Sequence, residues 1–135
     1  MDNPGVFTLA PAQIGVAAGP FTFSPIIDLD GMTAVTLEAN FQYGSGGTTC
    51  SAIVATSFDG GTTWRHIARF DFTTAADVKV ANLSGLTPVG IADNAYVDLA
   101  TESIRDGLLG DRLCAIIVST GTYVNTTLSV RAAVR

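Results

Sequence analysis

Apolar and polar residues alternate with a period of two through most of this chain, and that alternation predicts strands with one wet and one dry face. The clearest case is MTAVTLEANFQY, residues 32–43. Val35, Leu37, Ala39, Phe41 and Tyr43 fall on one face, and Thr36, Glu38, Asn40 and Gln42 on the other. GSGG at 44–47 ends the segment. CSAIVATSF (50–58) is apolar or small on both faces, which predicts a central strand covered on both sides. WRHIARFDF (64–72) places Trp64, His66, Ala68, Phe70 and Phe72 together, with Arg65, Ile67, Arg69 and Asp71 opposite. A tight Asp-Gly-Gly turn joins these two segments, so they are predicted to pair as an antiparallel hairpin.

The C-terminal part reads the same way. DRLCAIIVST (111–120) is rich in β-branched residues, GTY (121–123) turns, and VNTTLSVRAAVR (124–135) points Leu128, Val130, Ala132 and Val134 inward. VFTLA (6–10) and FTFSPIIDL (21–29) supply two more strands, and Pro25 marks the second as an edge or a bulge. In the middle, DVKVANL (77–83) and AYVDLA (95–100) read as short strands. TESIRDGLLG (101–110) reads as one helical turn closed by Gly107 or Gly110. Seven or eight strands with Gly-rich turns predict one all-β domain over residues 1–135. The expected fold is a two-sheet antiparallel sandwich of Greek-key or jelly-roll type, with a small β-barrel as the alternative. Residues 1–20 read as an extended N-terminal arm, which either grips a neighbour or covers its own sandwich.

Composition narrows the function. Charged residues are only 14% of the chain against 47% hydrophobic, so the surface is either Thr-, Ser- and Asn-rich or partly covered by partners. The net charge is −5 and the basic residues are scattered, which disfavours nucleic acid. No apolar run is long enough for a membrane helix, and MDNPGVFTLAPAQ does not read as a secretory signal, so synthesis in a cytoplasm is expected. Cys50 and Cys114 read as two buried reduced thiols, with a cross-strand disulfide left open.

One stretch has a recognisable spacing. SFDGGTTW (57–64) fits S-x-D-x-G-x-T-W, the Asp-box found between strands in sialidases and other carbohydrate-active propellers. A propeller needs at least four blades of roughly 40 residues, so this chain is too short to be one. Each motif residue has a structural task. Asp59 accepts hydrogen bonds from backbone amides of its own turn, Thr63 braces it, Gly61 supplies a backbone angle and Trp64 packs beneath. The motif argues for a rigid turn (Ser57, Asp59, Gly61, Thr63, Trp64), and only weakly for contact with a sugar.

Other chemistry is sparse. His66 is the sole histidine and has no G-x-S-x-G elbow or ligand cluster to work with, so it reads as structural. Asp28-Leu29-Asp30-Gly31 lacks the distal ligands of a calcium loop and reads as a turn. Asp106 and Asp111 bracket Gly107–Gly110, but nothing in the sequence positions them as an acid–base pair. No catalytic residue, cofactor, metal or small-molecule substrate is expected.

The segments AIVATSFDGGTTWRHIARFDF and LLGDRLCAIIVSTGTYVNTTLSVRAAVR together resemble small β-sandwich virion proteins of tailed bacteriophages. The likeness covers roughly residues 32–135. It implies a non-enzymatic structural protein of the virion, most simply a capsid decoration or cement protein. Such a protein binds the outside of the head as a homo-oligomer, with the major capsid protein and its own copies as partners. A tail, neck or fibre component is the alternative. A carbohydrate-binding module presenting Trp64, Tyr43, Tyr96 and Tyr123 is a further one. Phe7, Leu9, Leu108 and Leu109 are the expected interaction surface.

Overall fold

The computed structural model describes residues 5–11, 18–90 and 99–135, with the backbone alone described for 18–20. Its strands are β1 (Gly5–Ala10), β2 (Ala18–Thr22), β3 (Ala34–Gln42), β4 (Ser45–Gly46), β5 (Thr49–Thr56), β6 (Arg65–Phe72), β7 (Asp77–Ser84), β8 (Leu113–Thr120), β9 (Tyr123–Val124) and β10 (Thr127–Val134). Two four-stranded sheets form, ordered β1-β10-β3-β7 and β2-β8-β5-β6, and the short β4 and β9 pair with each other. All described pairings are antiparallel. The chain passes from sheet to sheet at nearly every connection and returns β10 beside β1. That path is a jelly roll, and because each sheet keeps two edges it is not a closed barrel.

The alternation seen in the sequence builds the core. Val35, Leu37, Ala39 and Phe41 of β3 and Leu128, Val130, Ala132 and Val134 of β10 are all buried. They pair in register, Leu37 with Ala132 and Phe41 with Leu128, so two apolar rows face the opposite sheet together. Phe41 stacks on Phe72 of the other sheet with ring centroids 4.9 Å apart. Tyr123 meets Phe41 edge-on at 5.8 Å, and its hydroxyl donates to the Thr73 carbonyl at 2.9 Å. That bond satisfies the polar end of a fully buried ring.

Three expectations are corrected. The face containing Trp64, His66, Phe70 and Phe72 is broken by a bulge: Val54 pairs with Ala68 but Ala55 with His66, leaving Ile67 extra. Ile67 and Ala68 are therefore both buried, while His66 turns to the face opposite Phe70. The helical turn at 101–110 does not form. That segment instead runs beside β6, with Arg69 N–H donating to the Ser103 carbonyl at 3.0 Å and Arg105 N–H to that of Ile67 at 2.8 Å. FTFSPIIDL is a strand only through Thr22, after which Phe23, Ile26 and Leu29 donate single amide bonds to the 111–115 backbone past Pro25. Most of AYVDLA (95–100) lies outside the described residues, as do residues 1–4 and 12–17 of the N-terminal arm.

All four edges of the two four-stranded sheets carry features that oppose pairing with another strand. The 103–105 backbone covers β6. The β1 ladder shifts between Thr8 and Ala10. β2 contains Pro20 and its ladder shifts before Phe21. On β7, Lys79 sits in register with buried Ala39 and so points inward. Its ammonium lies 4.9 Å from the Phe72 ring centroid, donates to the Asp71 carbonyl at 2.5 Å and pairs with Glu102.

Candidate functional site

The β5–β6 hairpin loop is held by side chains of its own turn. Ser57 Oγ donates to Asp59 Oδ1 at 2.9 Å and accepts the Gly61 N–H at 2.9 Å. Asp59 in turn accepts the Thr63 N–H at 2.8 Å and the Thr63 hydroxyl at 2.6 Å. Gly60 and Gly61 hold φ of 75° and 92°, in the left-handed region. The bonds from Thr63, helped by Ser57, hold the Asp59 carboxyl down at about 2. Both Asp59 oxygens are thus engaged within their own turn.

A second clasp ties this loop to the start of β8. Arg112 donates from Nη1 to the Gly60 carbonyl at 3.0 Å and from Nε to Asp111 at 3.0 Å. Thr56 Oγ1 donates to the Arg112 carbonyl at 2.9 Å and accepts the Gly110 N–H at 2.9 Å. A Cβ on Gly110 would lie 1.9 Å from the Ser57 carbonyl, so the backbones touch there. Arg112 and the half-buried Trp64 both approach Gly61: an added Cβ there would lie 3.5 Å from Arg112 Nη1 and 3.6 Å from the Trp64 ring.

The remaining candidates are dispersed. Burial lowers the pKa of half-buried His66, which favours its neutral form. Asp106 accepts the Ser84 N–H at 2.6 Å and the Thr87 hydroxyl at 3.0 Å, which lowers its pKa. The Arg112 hydrogen bond does the same for Asp111. These shifts run opposite to what a general acid needs at neutral pH. Asp30 and Gly31 form a turn closed by the Met32 N–H on the Leu29 carbonyl at 3.1 Å, with Leu29 buried and its own N–H bonded to the Asp111 carbonyl at 2.8 Å. Among the described residues, no cluster of three or more His, Cys, Asp or Glu side chains has the arrangement to hold a metal ion.

A further polar cluster lies along β6 and was not anticipated from the sequence. Asp71 accepts from Ser51 at 2.7 Å, from Arg69 Nε at 3.1 Å and from the Glu102 N–H at 3.2 Å. Burial would raise this carboxyl, but those bonds and the Arg69 charge bring it below its ordinary value. Arg69 also donates to the Leu99 carbonyl at 3.0 Å. Shallow clefts beside this cluster are lined by Lys79, Glu102, Phe72 and Ile104. Lys79 is paired there with Glu102, and Arg69 with Asp71.

Cys50 and Cys114 are free and buried. They lie on opposite faces of one sheet, Cys50 in register with Phe72 and Cys114 with Ala55. Burial pushes their thiols up to about 12 and about 11. The aromatic residues considered for sugar stacking do not make one platform. Tyr123 is fully buried and Tyr43 packs edge-on to it, at the end of β5 away from Trp64. Tyr96 lies outside the described residues.

The apolar surface is not where Phe7, Leu9, Leu108 and Leu109 placed it. Leu9 is only 2% exposed, on the same inward side of β1 as Phe7, and the other three are partly buried against the core. Among the described residues, the exposed large apolar side chains are Val6, Val78 and Val80 on one sheet, Phe21 at an edge, Phe58 on the hairpin loop, Val124 on β9, and Ile27, Leu86, Val89 and Ile104 on other connections. No protein-family model, curated protein or solved structure matches the chain.

Proposed function

We propose that this chain is a non-enzymatic structural protein of a tailed-bacteriophage virion. In this reading it is a capsid decoration, or cement, protein that binds the outer surface of the head as an oligomer. It strengthens the shell by bridging capsomers, and its partners are the major capsid protein and its own copies.

The observation that carries the reading is the surface. Ten large apolar side chains are at least 42% exposed among the described residues, on a chain with only 14% charged residues. Such a surface is suited to being covered by other proteins. The interior supports a rigid building block: a jelly roll with guarded edges and an end loop clasped by Asp59 and Arg112. The Asp-box serves the loop's own rigidity in this account. The resemblance of residues 32–135 to phage virion proteins supplies the particle.

Quantitative mass spectrometry of purified particles of the encoding phage tests this. A copy number equal to that of the major capsid protein, or a simple fraction of it, is expected. A handful of copies assigns the protein to the tail, neck or fibre instead, and absence from the particle overturns the virion reading.

A further inference from the structure

The β1-β10-β3-β7 sheet has an outer face that no other part of the described chain covers. In register, Thr8, Arg131, Glu38 and Val80 form one row across its four strands. Val6, Ala133, Thr36 and Asn82 form the next row, and Ser129, Asn40 and Val78 lie on the other side. Val6 is 71% exposed, Val80 62% and Val78 50%. The only charges in these rows are Glu38 and Arg131, side by side at the centre and opposite in sign. The other sheet differs: on its outer face Arg69 and Asp71 are already bonded to the 99–102 segment.

We propose that this outer face is a self-association surface, covered by a second copy of the chain about a two-fold axis running along the strands between β10 and β3. Such an axis exchanges β10 with β3 and β1 with β7. Arg131 of each copy then lies on Glu38 of the other, forming two equivalent ion pairs at the centre. Val80 meets Thr8, and Ala133 meets Thr36. A two-fold axis across the strands would instead put Arg131 on Arg131 and Glu38 on Glu38, so the charges select one orientation. Pairing through the edges is opposed by the bulges of β1 and β2, the cover on β6 and the inward Lys79 of β7, which leaves a face as the route to assembly.

This inference rests on the oligomeric part of the function proposed above and is independent of the phage. The test is sedimentation of the purified chain over a wide concentration range, with the unfolding midpoint of each variant measured alongside. Wild type is expected to dimerise. Glu38→Arg alone and Arg131→Glu alone each set like charges against each other at both contacts, and each is expected to weaken dimerisation by about tenfold or more. The double exchange, Glu38→Arg with Arg131→Glu, is expected to restore it. Both positions are exposed, so folding should survive all three. A wild type that stays monomeric, or single variants that dimerise as wild type does, overturns the proposal. Neither result bears on whether the protein is found in particles, so this inference and the virion reading fail separately.

Discussion

Substituting Gly47 separates backbone strain from steric collision. Its φ is 70°, a left-handed angle that costs an ordinary residue about 1–2 kcal/mol. A Cβ there would also lie 2.3 Å from two atoms of the Tyr123 ring. That ring cannot step aside easily: it is fully buried, meets Phe41 and Tyr43 edge-on, and is held by its bond to Thr73. Overpacking of this kind costs a further ~1–3 kcal/mol. Gly60 supplies the reference, with φ 75° and nothing within 4 Å of an added Cβ. Gly60→Ala is therefore expected to cost only the backbone term. Gly47→Ala should cost about 1–3 kcal/mol more, the part due to collision. Urea unfolding of both variants at one protein concentration measures the difference, with equal m-values showing that the denatured state is unchanged. Equal losses in the two variants, or a larger loss at Gly60, would refute the packing assigned to Tyr123.

Tyr123→Phe removes the hydroxyl alone and is expected to cost about 1 kcal/mol in the same assay; no change would show that the Thr73 bond contributes nothing. Asp59 is held below its unfolded value, so its contribution is complete above the ordinary carboxylate range and lost as pH falls through about 2. The difference in melting temperature between wild type and Asp59→Asn should therefore shrink between about pH 4 and 2, and a pH-independent difference would contradict the bonding described. Cys50 and Cys114, buried with raised thiol pKa values, should resist alkylation at pH 8 until the protein unfolds. Rapid labelling of the native chain would disprove their burial. Lys79→Val removes the inward charge from β7 and is expected to increase aggregation, followed by light scattering; unchanged solubility would remove Lys79 from the edge defences.

The strands with strict alternation were legible because one side of each is dry. β3 and β10 bury the residues their pattern names, and the β5–β6 hairpin closes through the turn that SFDGGTTW specifies. The choice between Greek key and jelly roll was not legible, since strand order depends on partners far apart in sequence, such as β1 with β10. The β6 bulge misled the assignment of faces. Alternation carried through Ile67 assigns it to a surface it does not occupy, and the adjacent apolar pair Ile67-Ala68 was the available signal. The 101–110 segment has helix-compatible residues, but its amides and carbonyls bond to β6 instead. The Asp71–Arg69–Glu102–Lys79 cluster joins three separate stretches of chain, and only the fold brings them together. On β7 the inner row holds Lys79 at the open side of the sandwich, which leaves Val78 and Val80 outside.

The most direct test of the account is reconstitution on phage heads assembled without this protein. Purified chain is added, bound copies are counted by electron microscopy and gel densitometry, and the temperature of DNA release is measured. The account expects saturable binding at a fixed ratio to the major capsid protein, with DNA released at a higher temperature. Heads that bind none of the protein, or bind it without any gain in stability, would contradict it.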